Sequence, residues 1–247
     1  MFKKILAKIG VGGAEVDTVL HKTCLMPGEW VQGEVIIRGG DVEQEIEGLK
    51  LRLMTQVEVE GEDQEFLQNY CIESWELNER FKLGEHEERI FPFEIRIHPE
   101  TPITSLNTYH NRTKVWLGTD LEIDYALDAE DKDYLHIEPT PVMCKLLEAM
   151  QHLGFNLKSA DVEKGYLRGP NFESVSGCYQ ELEYSPSAST SWRLQEVEVS
   201  MIPEEERTHV LLELDRRFSG DGYQALTLTH DDLDLEALKH KLAAYLF

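Results

Sequence analysis

Cysteine is scarce in this chain: four residues in 247, Cys24, Cys71, Cys144 and Cys178, stand far apart and form no CxxC pair. That spacing gives neither the dense disulfide framework of small secreted domains nor a zinc-ligand pair, and it reads as reduced thiols in a cytoplasm. Basic residues are few as well, 24 Lys and Arg against 47 Asp and Glu, for a formal charge of -23. A chain so acidic repels the phosphate backbone that nucleic-acid binders neutralise, so no nucleic-acid partner is expected. Long apolar runs are missing: none approaches the ~20 residues that a membrane-spanning helix needs. Near the N-terminus Lys8 interrupts the apolar residues, which excludes the unbroken core of a secretory signal.

Chemical motifs are missing in the same way. The chain has no nucleophile elbow, phosphate-cradling loop, zinc cluster or EF-hand loop. Gly10-Val11-Gly12-Gly13 follows a helical pattern instead of joining a strand to a helix, so it reads as a hinge or turn and not as a dinucleotide site. The histidines nearest in sequence, His98 with His110 and His230 with His240, lack metal-binding spacing. No catalytic residue, cofactor or metal ligand is assigned, and the chain is expected not to be an enzyme.

What is present is an ordinary globular composition, 41% apolar and 29% charged, patterned for strands. Residues 27–40 open on Pro27-Gly28 and close on Gly39-Gly40. Between these turns Val31, Val35 and Ile37 alternate with Gln32, Glu34 and Arg38, the period of a strand with one buried face; only Ile36 breaks it. Similar patterns run through residues 15–26, 47–60, 73–83, 88–98 and 114–127, and Pro92 marks its strand as an edge or a bulge. Six or seven short strands at this spacing predict a β-sandwich.

The run Asp128-Ala129-Glu130-Asp131-Lys132-Asp133 is polar and non-periodic, as a linker is, and divides the chain into residues 1–128 and 129–247. Beyond it Thr140 caps a helix whose stripe is Met143, Leu146, Leu147, Met150 and Leu153, with Pro141 in its first turn and Gly154 closing it. Strand patterns resume at 155–163, 177–184, 191–202, 209–216 and 223–229, with a turn at Pro203-Glu204-Glu205-Glu206. A final helix, capped by Asp231 or Asp232, turns Leu235, Leu238, Leu242 and Tyr245 inward. The fold class is therefore mainly all-β with three helices.

The third helix stands at the N-terminus. Phe2, Ile5, Leu6 and Ile9 follow helical spacing, with Lys3, Lys4 and Lys8 on the other side. So short a helix ordinarily docks on its own domain, and these seven residues are also the candidates for contact with a protein partner or an anionic membrane surface. The acidic runs at 58–65, 85–88, 128–133 and 204–206 read as solvated loops and strand ends before they read as a Ca²⁺ site. Trp30, Trp75, Trp116 and Trp192 are expected in or half in the core.

In order along the chain, Met1-Phe2-Lys3-Lys4-Ile5-Leu6 leading to Ala14-Glu15-Val16-Asp17-Thr18-Val19-Leu20 resembles the start of the bacterial sporulation-control (SpoOM-like) family. Pro27-Gly28-Glu29 with Val31, Gly33 and Val35, and Phe91-Pro92-Phe93 running to Pro99, are similar to segments of the wider arrestin-like superfamily. Leu146-Leu147-Glu148 through Leu153-Gly154-Phe155 resembles the sporulation-control helix. The resemblance implies two arrestin-like β-sandwiches in tandem and a cytoplasmic, non-enzymatic adaptor in stress or developmental control that works through protein partners. No Lys or Arg cluster matches the phosphate sensor of vertebrate arrestins, so phosphate recognition is not carried over.

Overall fold

The computed structural model describes residues 12–60, 65–188, 194–216, 220 and 222–247. The N-terminal segment with Phe2, Lys3, Lys4, Ile5, Leu6, Lys8 and Ile9 lies outside the described residues, as does Trp192.

The first half is a two-layer β structure. One layer is the antiparallel sheet of β1 (Glu15–Leu20), β3 (Trp30–Arg38) and β7 (Glu88–Arg96), with β3 central. On β3, Val31, Gly33, Val35 and Ile37 are buried while Trp30, Gln32 and Arg38 are exposed, as the alternation predicts. Pro92 sits on β7, which among the described residues is an edge strand with no second neighbour to require its missing N–H. The other layer is built on the long β4 (Gln44–Glu60), which pairs with β5 (Glu65–Asn78), β6 (Phe81–Leu83) and β9 (Val115–Ile123). Beyond β9 come β10 (Ala129–Ile137) and the short β2 (Cys24–Leu25). Leu49, Leu51 and Leu53 of β4 meet Val31, Val35 and Ile37 of β3 and Leu117 and Leu121 of β9 in one core. Burying each such side chain stabilises the fold by about 1.5–3 kcal/mol.

The acidic run expected as a linker is strand. β10 pairs with β9 from Ala129 opposite Leu121 to Leu135 opposite Val115, and Leu135 and Ile137 complete the first core. The first half therefore extends through Ile137 and not to residue 128. The strand period is hidden because two of its inward positions are Asp131 and Asp133.

The second half starts with α1 (Pro141–His152). Thr140 caps it, accepting from the Met143 N–H, and Gly154 follows its end with φ +87°. Then come β11 (Phe155–Lys164), β14 (Cys178–Pro186), β15 (Leu194–Pro203), β16 (Arg207–Arg216) and β17 (Gly222–Thr229), side by side in one antiparallel sheet. The small ladder of β12 (Arg168–Gly169) and β13 (Phe172–Glu173) stands apart from it, and β8 (His110–Asn111) runs parallel to β11. The closing α2 (Leu235–Leu246) is capped by Asp234, whose Oδ1 accepts from the Ala237 N–H at 2.8 Å. Asp232, a cap in the sequence reading, instead accepts from Thr229 N–H and pairs with Lys241.

Val142, Leu146, Ala149 and Met150 of α1 and Leu238, Leu242 and Leu246 of α2 share a core with Phe155, Leu182, Val197, Val199, Val210 and Leu212 of the sheet. Among the described residues, then, the layer opposite this sheet is a helix pair, where the sequence reading expects a second β-sandwich. Strand alternation reports that one face is covered and is silent on what covers it.

The halves join edge to edge. β4 and β11 meet as parallel neighbours at Glu58 and Glu163, so among the described residues strands of both halves form one sheet of twelve. A second tie is Gln180 of β14, which is buried: its Oε1 accepts from the Ile103 N–H at 2.9 Å, and its Nε2 donates to the Ile103 carbonyl and to Thr113 Oγ1, both at 2.8 Å.

Candidate functional site

The edge where the halves meet carries an acidic cleft. On β14, Cys178, Gln180, Leu182 and Tyr184 point into the protein, so Tyr179, Glu181 and Glu183 share the outer face. The register then sets Asp161 of β11 opposite Glu181, and Ser159 opposite Glu183. Glu183 faces Glu198 of β15, which faces Glu213 of β16, which faces Tyr223 of β17. One row of directly opposed residues thus reads Ser159, Glu183, Glu198, Glu213, Tyr223. Like charges directly opposite each other across a ladder destabilise it.

Partial compensation is visible. Lys158 Nζ lies 3.0 Å from Glu183 and 3.0 Å from Glu196. The Ser159 hydroxyl donates to Glu183, and the Tyr223 hydroxyl donates to Glu213 at 2.7 Å. Burial works against ionisation of Glu183, but the Ser159 and Lys158 contacts prevail and hold it below the usual carboxylate range. Glu181 lacks such help: burial first, and then Glu198, Glu163 and Asp161, push it up to about 8. Burial and Glu213 push Glu198 up to about 7. Burial, and then Glu181, raise Tyr179 as well.

At the junction, Glu58 of β4 joins Asp161 and Glu163 of β11, with one oxygen of each within 4.8 Å of the others. Arg112 Nη1 donates to both Glu58 oxygens, at 3.0 and 3.1 Å. The whole cleft, with a volume of about 670 Å³, also takes in His110. Chemically it is a set of hard oxygen donors and proton acceptors, suited to protons, to hard cations or to basic side chains.

Of the acidic runs singled out in the sequence, only the one at 58–65 reaches the cleft, through Glu58. Elsewhere Glu87 accepts from the Gly84 N–H and bonds Arg89, and Glu204 closes the β15–β16 hairpin. Asp161, Glu163, Glu181, Glu183, Glu198 and Glu213 were visible only as the polar positions of separate strands; the register unites them. Of the tryptophans, Trp116 is 4% exposed and Trp75 half-buried, but Trp30 is 59% exposed, contrary to expectation. Trp116 lies on the outer face of β9, covered by the Lys132 ammonium 3.8 Å above its ring.

His98 Nδ1 accepts from the Glu100 N–H, and His209 is buried, stacked on Phe172. Ser105 Oγ lies 2.5 Å from His136 Nε2, and no hydrogen bond among the described residues orients the other ring nitrogen as a catalytic triad requires. Among the described residues no helix is long and apolar enough to cross a membrane.

Comparison with known proteins places this architecture. The model of the SpoOM protein family matches residues 2–218. The sporulation-control protein spo0M of Bacillus subtilis (strain 168) is 32% identical over 246 residues, covering 95% of this chain and 92% of that protein. The crystal structure of Spo0M, sporulation control protein, from Bacillus subtilis superposes with a TM-score of 0.84 at 30% identity, over 96% of this chain and 98% of that one.

Proposed function

Since the chain belongs to the SpoOM protein family, we propose that it is a regulator in sporulation or a related stress or developmental programme, a cytoplasmic and non-enzymatic adaptor that acts by binding other proteins. The observation that carries this reading is the match with the Bacillus subtilis sporulation-control protein along 95% of the chain. The two β layers of the first half support an arrestin-like sandwich there. Binding is supported by the cleft, whose carboxylates complement a basic segment of a partner, and by the β5 edge beside it. Among the described residues that edge pairs with no strand beyond β4, which leaves backbone groups open to strand addition, and it exposes Phe66 and Leu67.

Two experiments test the reading. Expression of this chain in Bacillus subtilis lacking spo0M should restore its sporulation phenotype, and no restoration at normal protein levels would overturn the regulatory assignment. Proximity labelling in the native host should recover partners that the Glu181→Lys, Glu198→Lys variant loses. An unchanged partner set would remove the cleft as the binding surface.

A further inference from the structure

A second group of carboxylates lies far from the cleft, on the seam where β1 passes β10. Ala129, Asp131, Asp133, Leu135 and Ile137 are the inward positions of β10, with Glu130, Lys132, Tyr134 and His136 exposed between them. Asp131 is committed as an acceptor on both oxygens: Oδ2 takes the Thr18 N–H of β1 at 2.7 Å and Oδ1 takes the Lys132 N–H at 2.8 Å. Thr18 Oγ1 and Thr119 Oγ1, 2.6 Å apart, tie β1 to β9 just beside it. Among the described residues β1 is an edge strand, so these bonds hold the side that faces away from β3.

Asp133 is the anomaly. Its Oδ2 is buried and has no hydrogen-bond partner among the described residues. The charged groups acting on it are Asp131 on its own strand and Asp17 on β1. From β9 it meets Leu117 directly opposite, and Thr119 stands next along that face. Among the described residues no cation acts on it. An ionised carboxylate in this position leaves a buried acceptor unmatched beside two like charges, whereas a protonated one turns the orphan oxygen into a donor aimed at an acceptor-rich neighbour.

We propose that Asp133 carries a proton in mildly acidic solution, bonded toward Asp131, and that losing this proton to water as the solution turns neutral loosens the seam between β1 and β10. Burial, with Asp131 and Asp17 adding to it, moves the Asp133 carboxyl up to about 6, which puts the change in that range. The seam is then a proton-sensitive latch on the first strand of the fold, independent of the cleft and of any partner bound there.

Hydrogen exchange of the Thr18 amide in the full chain, corrected for intrinsic rates, tests it. Between pH 5 and pH 7.5 its protection should fall by roughly ten-fold or more in the wild type. It should stay at the pH 5 level in Asp133→Asn, which carries an N–H donor at every pH. Equal wild-type protection at both pH values, or the same fall in the variant, overturns the proposal. Should the variant not fold, the carbon-13 shift of the Asp133 carboxyl in the wild type decides: a midpoint near 6 upholds the shared proton, and a midpoint at or below the ordinary aspartate value of about 3.9 refutes it.

Discussion

Gly33 of β3 lies so close to Val19 of β1 that a Cβ on it would stand 2.6 Å from the Val19 carbonyl oxygen. On the other side the same Cβ would meet the Phe93 ring of β7 at 2.7 Å. The central strand can thus approach both neighbours only with hydrogen at this position. Gly33→Val should lower stability by about 1–3 kcal/mol through overpacking, more if the carbonyl cannot move. Urea unfolding followed by tryptophan fluorescence checks this, and an unchanged midpoint would show that the strand tolerates a side chain there.

The buried Gln180 amide fastens the second half to the segment carrying Ile103 and Thr113. Gln180→Leu keeps most of the volume but strands the Ile103 N–H and carbonyl without partners. It should cost about 2–4 kcal/mol. Because the lost bonds are among those that join the halves, calorimetry should also show the single transition broadening or splitting as the halves uncouple. A sharp transition at the wild-type temperature would mean that the remaining contacts, such as β4–β11 and β8–β11, join them without it.

Stability should also depend on pH through the cleft, with a sign fixed by the raised carboxyls. Glu181 and Glu198 have folded-state values near 8 and 7, above the ordinary 4.5. The native state therefore binds protons more tightly than the unfolded chain between about pH 4.5 and 8. Their contribution is fully present below the ordinary value and is lost as the pH rises through 7 and 8. The lowered Glu183 acts in the opposite sense, its contribution being lost as the solution becomes strongly acidic. The urea midpoint should consequently peak in mildly acidic buffer and fall between pH 6 and 8.5. Glu181→Gln with Glu198→Gln should flatten that fall; a midpoint that rises with pH over this range contradicts the assignment.

What the sequence disclosed, and what it did not, follows from the range of each signal. Thr140, Pro141 and Gly154 are local, acting within a turn of the helix they bound, and the structure places all three as read. The buried face of β3 was equally legible, since its period needs no partner. β10 shows no strand period in the sequence because Asp131 and Asp133 occupy inward positions where a strand normally has apolar residues. The helical cover of the second sheet was hidden because a strand looks the same beneath a helix or a sheet. The cleft was hidden most completely: Asp161, Glu181 and Glu198 lie on three different strands, and only the register makes them neighbours.

Arg112 bears on how that neighbourhood survives. Its side chain is 57% exposed, but its partner Glu58 keeps only 10% of its side chain in water and sits beside Asp161 and Glu163. Most of what Arg112 contributes is therefore relief of repulsion inside the cleft, not the strength of a surface ion pair. Arg112→Ala should destabilise the protein by about 1–3 kcal/mol, as expected for a buried carboxylate deprived of its donor. Glu58→Gln made in the same chain should recover most of that loss, because the charge that needed the arginine is gone. A double-mutant cycle in urea measures the coupling directly. Additive losses would show that Arg112 acts through its aliphatic packing, and that the three carboxylates at the junction tolerate one another without it.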